Sequence, residues 1–149
     1  MSRVVLMSRV VLISCVSKKK NIRCKAEELY ISPLFIKSLK YAKQLNPDNI
    51  YILSAKYGLV RNDEFLEPYN LTLNNFSKDE RIEWSDKVIE KLKLVTSIDN
   101  DNFIILAGNN YYEYLINKLK HYELPLDGLG IGKRLKWLDE HINKYGLLF

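Results

Sequence analysis

Asn49-Ile50-Tyr51-Ile52-Leu53-Ser54-Ala55-Lys56-Tyr57-Gly58-Leu59, continued through Glu67-Pro68-Tyr69 to Thr72-Leu73, places a short apolar run directly ahead of a loop crowded with polar and aromatic groups. Ile50 to Leu53 is short and rich in β-branched and aromatic residues, so it reads as a buried strand. Ser54, Lys56, Tyr57 and Gly58 then emerge at its carboxyl end, the edge at which open α/β sheets bind ligands. Gly58 permits a sharp turn, and Pro68 pushes Glu67 toward an extended backbone. A carboxylate at Glu67 and phenols at Tyr57 and Tyr69 beside one pocket would activate a water and stack on a flat substrate. The plainer reading is a solvated Lys56, core-edge tyrosines and a loop charge.

Two further strands flank this one in sequence. Val10 to Val16 is a plausible central strand, and its exit carries Ser14, Ser17 and the basic run Lys18-Lys19-Lys20, with Arg23 close behind. That run is the best candidate for phosphate contact, although lysines at a strand exit are also commonly just solvated. Phe103 to Ala107 is the third strong strand, followed by Gly108-Asn109-Asn110. Asn109 either caps the next helix or reads a base edge, with Tyr111 as a stacking neighbour.

Helices separate these strands. Ala26 to Tyr30 makes a short turn, and Ser32-Pro33 reads as an N-cap with proline at the first helical position. Asn46-Pro47-Asp48 ends that helix. Ser77-Lys78-Asp79-Glu80 is a capping box that opens a helix with Ile82, Val88, Ile89, Leu92 and Val95 at helical spacing. Ser97 to Asn102 is a polar turn. Another helix is expected from Gly108 through Tyr111, Tyr112, Tyr114, Leu115 and Leu119, then a short strand at Leu124-Pro125-Leu126. A closing helix carries Ile131, Leu135, Leu138 and Ile142, with Lys133 and Arg134 near its start able to face a phosphate backbone. The glycines of Gly128-Leu129-Gly130-Ile131-Gly132-Lys133-Arg134 match neither nucleotide-loop pattern, and Arg134 stands where a P-loop hydroxyl belongs, which argues against ATP.

Strands alternating with helices imply a single-domain α/β/α sandwich around a small, mainly parallel sheet over residues 1–149. Met1 to Leu6 repeats at once as Met7 to Leu12, far below any structural period, so the first copy reads as a dispensable duplicated start. A net charge of +5 suits a polyanionic partner such as DNA but is too small to bind one by charge alone. Cys15 and Cys24 are too few for a disulfide scaffold, and no zinc pattern accompanies them, so no metal or other cofactor is expected. The apolar start is broken by Arg3 and Arg9 and is too short to span a bilayer, which gives a cytoplasmic expectation with no membrane partner.

The residues also carry a resemblance. Leu53-Ser54-Ala55-Lys56-Tyr57-Gly58-Leu59 with Glu67-Pro68-Tyr69 resembles the core motif of a small bacterial and phage family, similar in this segment to YaaA-type peroxide-stress proteins. Its other signatures match Leu29 to Phe35, Leu106 to Tyr111 and Pro125 to Leu138. The resemblance implies a uracil-DNA-glycosylase-like fold. One relative resembles an antiviral enzyme that removes modified bases from phage DNA, so the implied activity is excision of a modified base from DNA. Glu67-Pro68-Tyr69 is similar in order to the Asp-Pro-Tyr of the water-activating motif in uracil-DNA glycosylases, but it follows the second strong strand and lacks that motif's flanking Gly-Gln and His. From these features Glu67 and Asn109 are the catalytic candidates, Ser14, Ser17, Ser54, Lys56, Tyr57, Tyr69 and Tyr111 the substrate contacts, and Lys18, Lys19, Lys20, Arg23, Lys133 and Arg134 the DNA contacts. The competing functions are a non-enzymatic DNA-binding or stress-protective protein and an enzyme acting on free nucleosides or nucleotides.

Overall fold

The computed structural model describes residues 8–14 and 18–146, without the side chains of 143–146. Val10, Val11, Leu12 and Ile13 are all fully buried, so the strand β1 (Arg9–Ser14) is covered on both faces. It lies at the centre of a five-stranded sheet of order β4-β3-β1-β6-β7. Its parallel neighbours are β3 (Asn49–Ser54), in register Leu12 to Tyr51, and β6 (Asn102–Leu106), in register Leu12 to Ile105. The short β7 (Tyr122–Glu123) extends the parallel set beyond β6, while β4 (Gly58–Arg61) folds back antiparallel on β3. A separate two-stranded ribbon pairs β2 (Cys24–Lys25) with β5 (Phe65–Leu66).

Alternation along the strands divides the core in two. Val10, Leu12, Leu53 and Ile105 point to a face covered by α3 (Lys78–Val95) and by α4 (Asn109–Tyr112), through Trp84, Val88, Leu92 and Tyr111. Val11, Ile13, Ile52 and Ile104 point to the other face, covered by α1 (Ala26–Leu29), α2 (Pro33–Gln44) and α5 (Ile131–Gly146) through Leu29, Phe35, Ala42 and Leu138. The result is the mixed α/β sandwich with a mostly parallel sheet that the strand-helix alternation implies. Among the described residues no helix is long and apolar enough to cross a membrane.

The helix starts follow their local chemistry. Ser32 Oγ accepts from Phe35 N at 3.3 Å and Pro33 occupies the first turn of α2. Both halves of the capping box at α3 form, Glu80 N donating to Ser77 Oγ (3.2 Å) and Ser77 N to Glu80 Oε1 (2.8 Å). Asn46, at φ 50°, takes the left-handed conformation just past α2, which asparagine tolerates.

Four expectations need correction. The residues after Ser54 do not form an open loop: Ala55-Lys56-Tyr57 is a turn, and Gly58, at φ 73°, starts the antiparallel β4. The helix expected from Gly108 to Leu119 stops at Tyr112 and resumes only as a 3₁₀ turn at Ile116–Lys118. Asparagine and tyrosine are indifferent helix formers. Tyr111 and Tyr112 are instead tied to other segments of the chain, accepting from Leu73 N (3.4 Å) and donating to Asp127 Oδ1 (2.9 Å) respectively. The last strand is Tyr122–Glu123, ahead of Leu124-Pro125-Leu126, where Pro125 has no N–H to give to a ladder. Finally, Asn102 belongs to β6 rather than to the preceding turn. The expected continuation of the first strand through Cys15 and Val16, and the first copy of the repeated start, lie outside the described residues.

Candidate functional site: a cleft at the strand exits

The chain leaves β1 for α1 and α2 on one face of the sheet and leaves β6 for α4 on the other. Their adjacent carboxyl ends therefore diverge, and a crevice opens between them, as at the switch point of other α/β sheets. The cleft there has a volume of about 540 Å³. Ser14 from β1 and Gly108-Asn109-Asn110 after β6 form one wall, the start of α2 and Arg134 of α5 the other, over an apolar floor that includes Phe35, Leu106 and Leu126. Ser14 Oγ accepts from Gly108 N at 3.3 Å, which ties the two strand exits together. Asn110 Nδ2 donates to Asn74 Oδ1 at 2.8 Å, leaving the more exposed Asn109 side chain at the mouth.

α5 is held in place by α2. Lys37 pairs with Asp139, and Trp137 packs edge-on against Tyr41 at a ring separation of 5.1 Å while stacking on His141. Arg134 Nε donates to Leu129 O (2.8 Å), which fixes its half-buried guanidinium at the cleft wall. Beside it, burial first and the Asp127 hydrogen bond second push the Tyr112 phenol above its ordinary value, so it stays a protonated donor.

The second expected group lies in a separate, more open groove of about 670 Å³ lined by Lys18, Lys19, Lys20, Asn21 and Pro68-Tyr69-Asn70. A chain of hydroxyls underlies it. Tyr57 N donates to Ser54 Oγ (3.0 Å), Ser54 Oγ donates to Tyr69 OH (3.0 Å), and Tyr69 OH shares a hydrogen bond with Tyr30 OH (2.6 Å). Lys19 Nζ sits 4.6 Å from the centre of the Tyr69 ring, a cation–π distance. The groove meets the rim of the cleft, because Ile31 N donates to Lys18 O (3.0 Å) immediately before Ser32.

Several sequence candidates fall elsewhere. Ser54 is fully buried and acts on Tyr69 and Tyr57, so it reaches no ligand. Tyr111 does line the cleft, but at 1% exposed and with its ring edge-on to Trp84 most of it belongs to the core. Lys56 and Tyr57 line a third hollow with Trp84 and Phe76, and Tyr57 OH reaches across to Glu67 O (3.2 Å). Glu67 lines none of these hollows; its exposed carboxylate lies 3.6 Å from Arg23, whose guanidinium also covers the Phe65 ring. Lys133 is exposed beside the cleft, and Ser17 lies outside the described residues. The structure thus brings Ser14, Asn109, Tyr111 and Arg134 to one cleft, and Lys18, Lys19, Lys20 and Tyr69 to its neighbouring groove.

Sequence reasoning missed Ser38, 2% exposed and lining the cleft one turn after Phe35. The available signal was a polar residue within the apolar stripe of α2. It also missed the Tyr30–Tyr69–Ser54 chain, because Tyr30 read only as the end of a helical turn. Among the described residues no group of three or more His, Cys, Asp or Glu gathers to hold a metal.

Fold and site together define an α/β sandwich with a polar-walled, apolar-floored cleft at the carboxyl edge of a parallel sheet. Residues 10–140 match the model of DUF6884, a family of unknown function, and the chain belongs to that family.

Proposed function

We propose that the protein excises a modified nucleobase from DNA by cleaving its N-glycosidic bond, and that phage DNA is the target of this activity in an antiviral role. The observation that carries this reading is the cleft between β1 and β6, with hydroxyl and amide groups above an apolar floor, opening beside a groove lined with three lysines and Tyr69. A flat base fits such a floor. Asn109 reads its edge, and Lys18, Lys19 and Lys20 hold the flanking phosphates and so offset the few kcal/mol that extruding a base costs. In the reaction the bond from C1′ to the base nitrogen breaks, with its electron pair leaving on the base. Water adds hydroxyl to C1′ and its proton ends on the departing base. Arg134 at the cleft wall stabilises the negative charge that develops on the base. Glu67 is the residue proposed to orient the water, for which it must leave Arg23 and swing into the cleft, which it does not line here.

A second reading, DNA binding without catalysis, is favoured by one observation: among the described residues no carboxylate or histidine lines the cleft. The resemblance to YaaA-type proteins supports the same alternative. Incubation with natural and hypermodified phage DNAs separates the two. The glycosylase reading expects a free base by mass spectrometry and alkali-labile strands, whereas retained DNA with no released base favours binding alone.

A further inference from the structure

The first turn of α5 runs against ordinary helix electrostatics. The N-terminal end of a helix carries partial positive charge and favours acidic residues, as α3 illustrates with Asp79 and Glu80. α5 has no acidic residue in its first turn and carries Lys133 and Arg134 there. Gly130, just before it, has no side chain with which to cap. The first intrahelical bond runs from Arg134 N to Gly130 O (2.9 Å), so the amides of Ile131, Gly132 and Lys133 precede the ladder and have no partner within it. A cation stacked on the positive end of a dipole is unfavourable until an anion joins them.

Two side chains point to where that anion sits. Among the described residues Arg134 has no carboxylate within 4.0 Å and is the only charged side chain that lines the cleft. Ser38, on the facing helix, is 2% exposed and lines the same cleft, and its hydroxyl has no hydrogen-bond partner among the described residues. Unlike the fully enclosed Ser85 Oγ, that hydroxyl opens to the cleft, where a ligand oxygen can reach it.

We propose that this end of the cleft is a phosphate subsite. The guanidinium of Arg134, the open amides at the start of α5 and the Ser38 hydroxyl bind the phosphate of the same nucleotide whose base lies over Phe35 and Leu126. The inference rests on the nucleobase reading above for the rest of the ligand and adds to it the class: a phosphorylated nucleotide, free or within a strand, rather than a nucleoside. A planar, forked donor beside a helix N-terminus is the arrangement that recognises phosphate in other proteins.

The test is titration calorimetry on the full chain with the four common deoxynucleoside 5′-monophosphates, the matching deoxynucleosides and inorganic phosphate. At least one monophosphate is expected to bind ten-fold or more tightly than its nucleoside. Arg134→Gln should cut that advantage to three-fold or less, Arg134→Lys should restore only part of it, and Ser38→Ala should weaken the monophosphate several-fold with the nucleoside unchanged. Circular dichroism checks that each variant folds. Equal binding of nucleotide and nucleoside, no binding of either, or a full advantage retained by Arg134→Gln overturns the subsite. Base release from DNA is measured on the same proteins. Release that persists with no phosphate preference sinks the subsite and leaves the glycosylase reading standing; phosphate preference with no release from any DNA does the reverse.

Discussion

Ser54→Ala and Ser85→Ala remove the same hydroxyl from two serines that are both essentially inaccessible to solvent, yet they should act in opposite directions. Ser54 Oγ is the middle of a chain: it accepts from Tyr57 N at 3.0 Å and donates to Tyr69 OH at 3.0 Å. Deleting it leaves the Tyr57 amide without an acceptor in the β3–β4 turn. Tyr69 keeps its 2.6 Å hydrogen bond to Tyr30, so only one group is orphaned. Two lost hydrogen bonds, one of which strands the Tyr57 donor, cost about 1–3 kcal/mol, and at roughly 2–4 °C per kcal/mol for a chain of this size the midpoint should fall by about 2–12 °C. Ser85 Oγ, by contrast, has no hydrogen-bond partner among the described residues. Replacing it removes an unsatisfied polar atom from the sheet side of α3, and stability should hold or rise by up to about 1 kcal/mol. Urea denaturation of both variants, with unchanged m-values, is the assay. Equal losses from the two serines would refute the hydrogen-bond assignment around Ser54.

Changing Lys18, Lys19 and Lys20 together to alanine should lower the slope of log binding constant against log salt by about one unit for each DNA phosphate that is no longer neutralised; an unchanged slope in fluorescence anisotropy would return the lysines to solvent. Glu67→Gln should cut single-turnover base release by roughly 10²- to 10⁴-fold while preserving fold and DNA binding, since its exposed ion pair with Arg23 contributes little to stability. A rate within a few-fold of the parent removes Glu67 from the chemistry. The Glu80 carboxylate is held below its ordinary range, first by the Ser77 backbone amide and then by the Ser77 side chain. A folded-state pKa below the unfolded one gives stability that is complete above the unfolded value and is lost as pH falls through the folded one. Glu80→Gln should therefore flatten the stability profile below the ordinary glutamate range, and an unaltered acid limb in pH-dependent denaturation would contradict this.

The layers were legible because periodicity reports burial. The Val10 to Ile13 run is covered on both faces, and the capping box and Ser32-Pro33 start mark helix boundaries with local chemistry alone. The β3–β4 hairpin was not legible, since Ala55-Lys56-Tyr57-Gly58 lacks the asparagine-glycine or aspartate-glycine pair that announces such a turn. At the site, Ser14, Asn109 and Arg134 were found as residues at element ends, a property the sequence carries. What it does not carry is which element ends share a cleft: that depends on the order β3-β1-β6, which puts β6 beside β1 and leaves Glu67 just past β5, paired with Arg23. Tyr111 is ambiguous for a related reason. A tyrosine after a strand exit suits stacking and core packing equally, and its contact with Trp84 comes from a helix nearly thirty residues earlier.

Whether a nucleobase leaves DNA in the cleft between β1 and β6 can be read from the products. The most direct measurement is mass spectrometry of small molecules released from a panel of natural and hypermodified phage DNAs by the parent protein and by Asn109→Ala. The expected result is one released modified base, a matching yield of abasic sites, and a large loss of both in the variant at unchanged thermal stability. No base released from any DNA in the panel, or equal release by the parent and the variant, would contradict it.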